Sequence, residues 1–106
     1  MVARGDIWLV NLDPTVGSEI RKARPCVVVS PPEMHDHLRT VIIAPMTTGS
    51  RPAPFRVGVR HDGKRGLILL DQMRAVDKAR LARKLGAVSA KTRTETLSTL
   101  QEIFAA

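Results

Sequence analysis

The stretch IWLVNL-DPTVGSEIRKARP-CVVVS, Ile7 to Ser30, decides how this chain folds. Two alternating apolar runs, Ile7–Leu12 and Cys26–Ser30, bracket a polar segment, Asp13–Pro25. In the first run Ile7, Leu9 and Asn11 would face one side of a strand and Trp8, Val10 and Leu12 the other. Both faces are largely apolar, which predicts a strand that is buried or at an interface. The second run is short and β-branched, and Ser30-Pro31-Pro32 stops it. The segment between them sets one carboxylate, Glu19, among three cations, Arg21, Lys22 and Arg24. Cations can hold a phosphodiester while a carboxylate accepts a proton from a hydroxyl. The same charges also suit a solvated hairpin loop whose members pair weakly.

Outward from this stretch the strand pattern continues. Thr40–Pro45 predicts a third strand, and the turn-rich TTGSRPAP follows it. Phe55–Val59 alternates as Phe55, Val57, Val59 and predicts a fourth. His61–Gly66 (HDGKRG) predicts a tight turn, with Asp62-Gly63 suited to a primed hairpin. Gly66–Leu70 predicts a fifth strand, extended by Met73–Val76 after a kink. The remainder reads as helical. Asp77 is a cap for a short helix, Lys78–Lys84, ended by Gly86. Ser89 is a cap for a longer one, Ala90–Phe104, with Leu97, Leu100, Ile103 and Phe104 on one face. Lys91 and Arg93 near its start oppose the helix dipole. The expected fold is mainly β (α+β): one domain, residues 1–106, a small antiparallel sheet with a C-terminal helix packed on it. A barrel-like curl would remove the sheet edges.

Composition narrows the function. The chain has 106 residues, 43% of them hydrophobic, and a formal net charge of +7. A charge of that sign argues for polyanionic partners, nucleic acid first. With Trp8, Phe55 and Phe104 as its aromatics, the chain is poorly equipped for base stacking, so electrostatics and hydrogen bonds must do most of the holding. No apolar run approaches bilayer length, and the start MVARGD lacks a signal-peptide apolar region, so a cytoplasmic protein without membrane contact is expected. A single cysteine, Cys26, fits a reducing compartment and, within an apolar strand, reads as an inert small hydrophobe. His35-Asp36-His37 has the residue types of a metal site but no supporting ligand cluster; a surface helix or loop explains it. No phosphate-binding glycine loop or dinucleotide fingerprint is present, and no cofactor is expected. A second polar patch, Thr47-Thr48-Gly49-Ser50-Arg51, follows the third strand and could donate to phosphate oxygens. Antiparallel pairing of the second and third strands would set Arg24 and Thr47 at one sheet edge.

Four blocks, RGDIWLVNLDPTVGSE, ARPCVVVS, IIAPMTT and LILLDQMRAVDKARL, in this order and spacing, resemble the MazF/PemK (Kid) toxins of bacterial toxin–antitoxin systems. The resemblance runs from Arg4 to about Leu85. It implies an SH3-like β-barrel with appended helices (the CcdB/PemK-like fold), a homodimer, and a metal-independent, sequence-specific endoribonuclease of single-stranded RNA, chiefly messenger RNA. It also implies an antitoxin that covers the RNA groove. The family's catalytic carboxylate falls on Glu19, its arginine on Arg24 and its threonine on Thr47. Ser18, Arg21, Lys22, Thr48, Arg51 and Gln72 are the expected RNA contacts. The chain departs from many relatives after the Ser18-Glu19 pair, where Ile20-Arg21-Lys22-Ala23 replaces a glutamine and glycine. CcdB toxins share the fold and poison gyrase, but act through a C-terminal tryptophan that Ile103-Phe104-Ala105-Ala106 lacks. A non-catalytic RNA-binding module is the other alternative and leaves Glu19 unexplained.

Overall fold

Why Ile7–Leu12 is apolar on both faces is evident from its place in the sheet. A computed structural model describes residues 2–12 and 23–106. Strand β1 (Asp6–Asn11) lies between β2 (Ala23–Val28) and β7 (Leu81–Ala87), antiparallel to both. Its Ile7 joins one core cluster, with Val27, Val29, Ala44, Met46, Val57 and Ile68. Val10 joins the other, with Cys26, Val28, Val41, Ile43 and Val76, and Trp8 and Leu12 pack against it. A strand with apolar clusters on both sides needs no polar face.

The remaining strands follow the expected order with shifted ends. After helix α1 (Pro32–His37), β3 (Thr40–Thr47) pairs with β2 on one side. On its other side β3 divides, its first half pairing with β6 (Arg74–Asp77) and its last two residues with β5 (Lys64–Leu69). β4 (Arg56–His61) pairs along β5, so the sheet runs β4-β5-β3-β2-β1-β7. The expected kink before Met73 is a 3₁₀ turn at Leu70–Gln72. The β4–β5 hairpin turns at Asp62 (φ 56°) and Gly63 (φ 75°), the two left-handed residues of a primed turn. The result is a curled, antiparallel half-barrel carrying a C-terminal helix, α2 (Ala90–Ile103), against β4.

One helical expectation requires correction. Asp77 does cap, accepting from Ala79 N–H at 2.8 Å, but it caps a single 3₁₀ turn, Lys78–Arg80, and Leu81–Ala87 is a strand. The open edge of β1 supplies a ladder of hydrogen bonds that outweighs the helical preference of Leu-Ala-Arg-Lys. Two register shifts along that ladder let β7 direct Leu81 to one core cluster and Leu85 to the other. The helix α2 forms as expected, with Ser89 Oγ accepting from Thr92 N–H. Its apolar face is only partly used: Leu100 packs on the core, whereas Ile103 and Phe104 are 38% and 71% exposed. The last turn carries them clear of the sheet.

His35 is also not a surface residue. It is buried between Ser30 Oγ at its Nε2 (2.6 Å) and the Val2 carbonyl at its Nδ1 (3.2 Å). A carbonyl only accepts, so Nδ1 carries a proton and donates to Val2, while Nε2 shares a hydrogen bond with the Ser30 hydroxyl. Ser30 Oγ in turn accepts from Ile42 N–H at 2.9 Å. Both ring nitrogens are therefore committed to tying the N-terminal segment and α1 to the sheet.

Candidate nucleic-acid site at the end of the sheet

The site is built by strand register. β2 and β3 pair as Cys26↔Pro45, Val27↔Ala44 and Val28↔Ile43. Carried outward by two residues, this register sets Arg24 directly across from Thr47, the antiparallel arrangement the two polar patches require. β5 adds Leu67 opposite Thr47, and β4 adds Gly58 opposite Leu67. One row of positions thus crosses four strands, with side chains on the first three, on the face that buries Cys26 and Ile43. Beneath it lies a cleft of about 330 Å³ lined by Leu12, Arg24, Thr47, Ser50, Leu69 and Gln72.

The hydroxyl of Thr47 is oriented by its own turn. Its Oγ1 accepts from Gly49 N–H at 3.2 Å, which leaves the hydroxyl proton free to donate into the cleft. The backbone there is tightly packed. A Cβ on Gly66 would stand 2.7 Å from the Thr47 carbonyl oxygen, so only glycine lets β5 pass this close. Cys26, one residue beyond Pro25, is inert: burial pushes its thiol up to about 12, against the opposing pull of Arg24 and Arg74.

A second, larger cleft of about 460 Å³ opens on the opposite face. Its floor is apolar, from Leu9, Met46, Val59 and Leu85, and His61, Lys64 and Arg83 stand among its lining residues. Thr48 lines this cleft, and Arg24 and Thr47 reach both.

Of the residues singled out in the sequence, Arg24, Thr47 and Gln72 come together in the first cleft and Thr48 lies beside them. Arg51 lines neither cleft; its carbonyl is held by Arg56 instead. Ser18, Glu19, Arg21 and Lys22 lie outside the described residues. Their segment leaves and re-enters the sheet at one point, because Asn11 pairs with Ala23. That point is braced by two arginines sequence reasoning missed: Arg80 donates to the Asn11 carbonyl at 3.0 Å and Arg74 to the Leu12 carbonyl at 3.3 Å. Both sit in the QMRAVDKAR block, where no periodicity reveals that they reach back across more than sixty positions. Among the described residues, no group of three or more His, Cys, Asp or Glu side chains could hold a metal ion, and no helix is long and apolar enough to cross a membrane.

A curled antiparallel half-barrel with a C-terminal helix, opening an arginine–threonine pair at one sheet end, defines a class of small basic β protein. The chain belongs to the PemK-like, MazF-like toxins of type II toxin–antitoxin systems, whose family pattern matches residues 3–104. It is 38% identical to the endoribonuclease PemK of Escherichia coli, over 95% of this chain and 80% of that protein. It is 36% identical to the endoribonuclease MazF of Staphylococcus epidermidis, over 84% of this chain and 79% of that one. Its fold is similar to that of the MazE–MazF structure from Deinococcus radiodurans, with a TM-score of 0.81 and 25% identity over 96% of this chain and 94% of that chain.

Proposed function

We propose that this protein is the toxin of a toxin–antitoxin pair and acts as a sequence-specific endoribonuclease on single-stranded RNA, chiefly messenger RNA. The observation that carries the reading is the Arg24–Thr47 pair, set across two strands on an open cleft in a chain whose residues 3–104 match the toxin family. Glu19 stands five residues from Arg24 along the chain, so the two backbones are never more than about 18 Å apart.

In this mechanism the 2′-oxygen of the substrate attacks the adjacent phosphorus, and its proton passes to the Glu19 carboxylate. The O2′–P bond forms as the P–O5′ bond breaks. Water protonates the leaving 5′-oxygen. The products are a 2′,3′-cyclic phosphate and a 5′-hydroxyl. Arg24 neutralises the charge growing on the phosphoryl oxygens with its planar fork of donors. It serves as a stabiliser rather than as the acid, since a guanidinium keeps its proton. Thr47 donates to a phosphoryl oxygen. Nucleophile, base and cation are all supplied by RNA and protein, so the chemistry needs no metal. DNA lacks the nucleophile and is spared. Ser18, Arg21, Lys22, Thr48 and Gln72 grip the flanking nucleotides; Arg51, which lines neither cleft, is left to meet RNA outside them.

The chain forms one domain, dimerises and works in the cytoplasm. The uncovered Ile103 and Phe104 support a partner copy. An antitoxin with an acidic and apolar binding segment suits the cationic clefts, and the similar Deinococcus toxin was solved as MazE–MazF.

The test is a cleavage assay in EDTA on a long unstructured RNA and the matching DNA, with ends mapped. Discrete RNA cuts bearing cyclic phosphates, with DNA intact, are expected. Glu19→Ala or Arg24→Ala should slow cutting by about 10²–10³-fold, the scale of one lost transition-state group. Wild-type rates in both variants, or no cutting by folded wild-type protein, would overturn the reading.

A further inference from the structure

Arg56 sits on the same sheet face as Arg24 and Thr47: it is paired with Leu69, which lines their cleft. All three nitrogens of its guanidinium donate. Nε and Nη2 donate to the two carboxylate oxygens of Asp71, each at 3.1 Å, and Nη1 donates to the Arg51 carbonyl at 3.0 Å. The Phe55 ring lies 5.8 Å from the same guanidinium carbon. One side chain thus joins three segments: the start of β4, the 48–55 loop and the 3₁₀ turn at Leu70–Gln72.

The arrangement is not an economical source of stability, because an ion pair this accessible contributes little. What it supplies is geometry. A bidentate fork holds a carboxylate in one plane, and the third donor then fixes the loop relative to the turn. The residues next to its two anchors are the ones that matter. Ser50 precedes Arg51 and Gln72 follows Asp71, and both line the cleft with Arg24 and Thr47.

We propose that Arg56 is a positioning residue that locks the 48–55 loop to the 70–72 turn and so aims Ser50 and Gln72 at a nucleotide flanking the scissile phosphate. The inference rests on the ribonuclease reading. It makes Asp71 the anchor of a specificity wall, with its carboxylate spent on Arg56. The clamp should therefore matter only to substrates long enough to reach that wall.

The experiment uses the full chain and an RNA oligonucleotide holding one mapped cut, together with versions shortened from each end. Arg56→Gln, Asp71→Asn, the double variant, and Arg56→Lys, which keeps the charge without the fork, are compared by kcat, KM and melting temperature. On the long substrate each single variant should raise KM about 5–20-fold with kcat within about threefold, the pattern of lost substrate binding. The double variant should cost no more than either single change, and Arg56→Lys should not rescue. On the substrate shortened at one particular end, variants and wild type should converge. Unchanged KM on the long substrate, losses equal on every length, or losses that track melting temperature would overturn the inference while leaving the ribonuclease intact. Wild type that cuts nothing would overturn both.

Discussion

Single residues at the sheet end carry distinct kinds of constraint. In the proposed mechanism Thr47 acts through a hydroxyl proton, and Gly66 constrains the strands through an absent Cβ. Thr47→Val should therefore reduce cleavage while leaving the melting curve close to wild type, and Thr47→Ser should restore much of the rate. Gly66→Ala should do both kinds of damage. The new methyl meets the Thr47 carbonyl, so stability falls by about 1–3 kcal/mol as the strands shift apart, and cleavage falls with it. A thermal melt beside a single-turnover rate separates the two cases. Arg24 and Thr47 could be singled out as candidates in the sequence because their chemistry suits a phosphodiester. The braces Arg74 and Arg80 were not, since a donor to a distant backbone carbonyl leaves no local pattern.

At the scale of elements, caps and clamps are testable as units. Ser89 closes the first turn of α2 by accepting from Thr92 N–H at 3.1 Å. Ser89→Ala should cost about 1 kcal/mol, and Ser89→Gly only a few tenths. For a domain of this size 1 kcal/mol lowers the melting temperature by about 4–8 °C. The clamp between β4 and the 3₁₀ turn has a pH signature. The hydrogen bonds from Arg56 hold the Asp71 carboxyl below its ordinary value of 3.8. A depressed carboxyl contributes stability above 3.8 that is lost as pH falls through the folded-state value. The stability gap between wild type and Asp71→Asn should thus be constant near neutrality and close below about pH 3.8 in urea titrations. Strands β1 to β5 were legible from alternation and turn chemistry. β7 was not, because Leu81–Ala87 has good helix formers and becomes a strand only through the free edge of β1.

Across the whole molecule the net charge of +7 predicts RNA binding that weakens steeply with salt. With a cleavage-site 2′-deoxy substrate, removing a phosphate-contacting cation by Arg24→Ala should flatten the log–log salt slope by about 0.7, the single-strand value per contact. An unchanged slope would show that Arg24 meets no phosphate in the ground state. By itself the sequence indicated a polyanionic partner, the β character, the Asp62-Gly63 hairpin turn and the family, because charge, alternation and motif spacing are properties of the chain in order. The tertiary structure alone decided which face of the sheet Arg24 and Thr47 share, that Leu81–Ala87 is a strand, that His35 is buried, and that Arg56, Asp71 and Arg51 meet. Each of these depends on strand register and on contacts between positions far apart in the chain, which no local pattern of residues encodes.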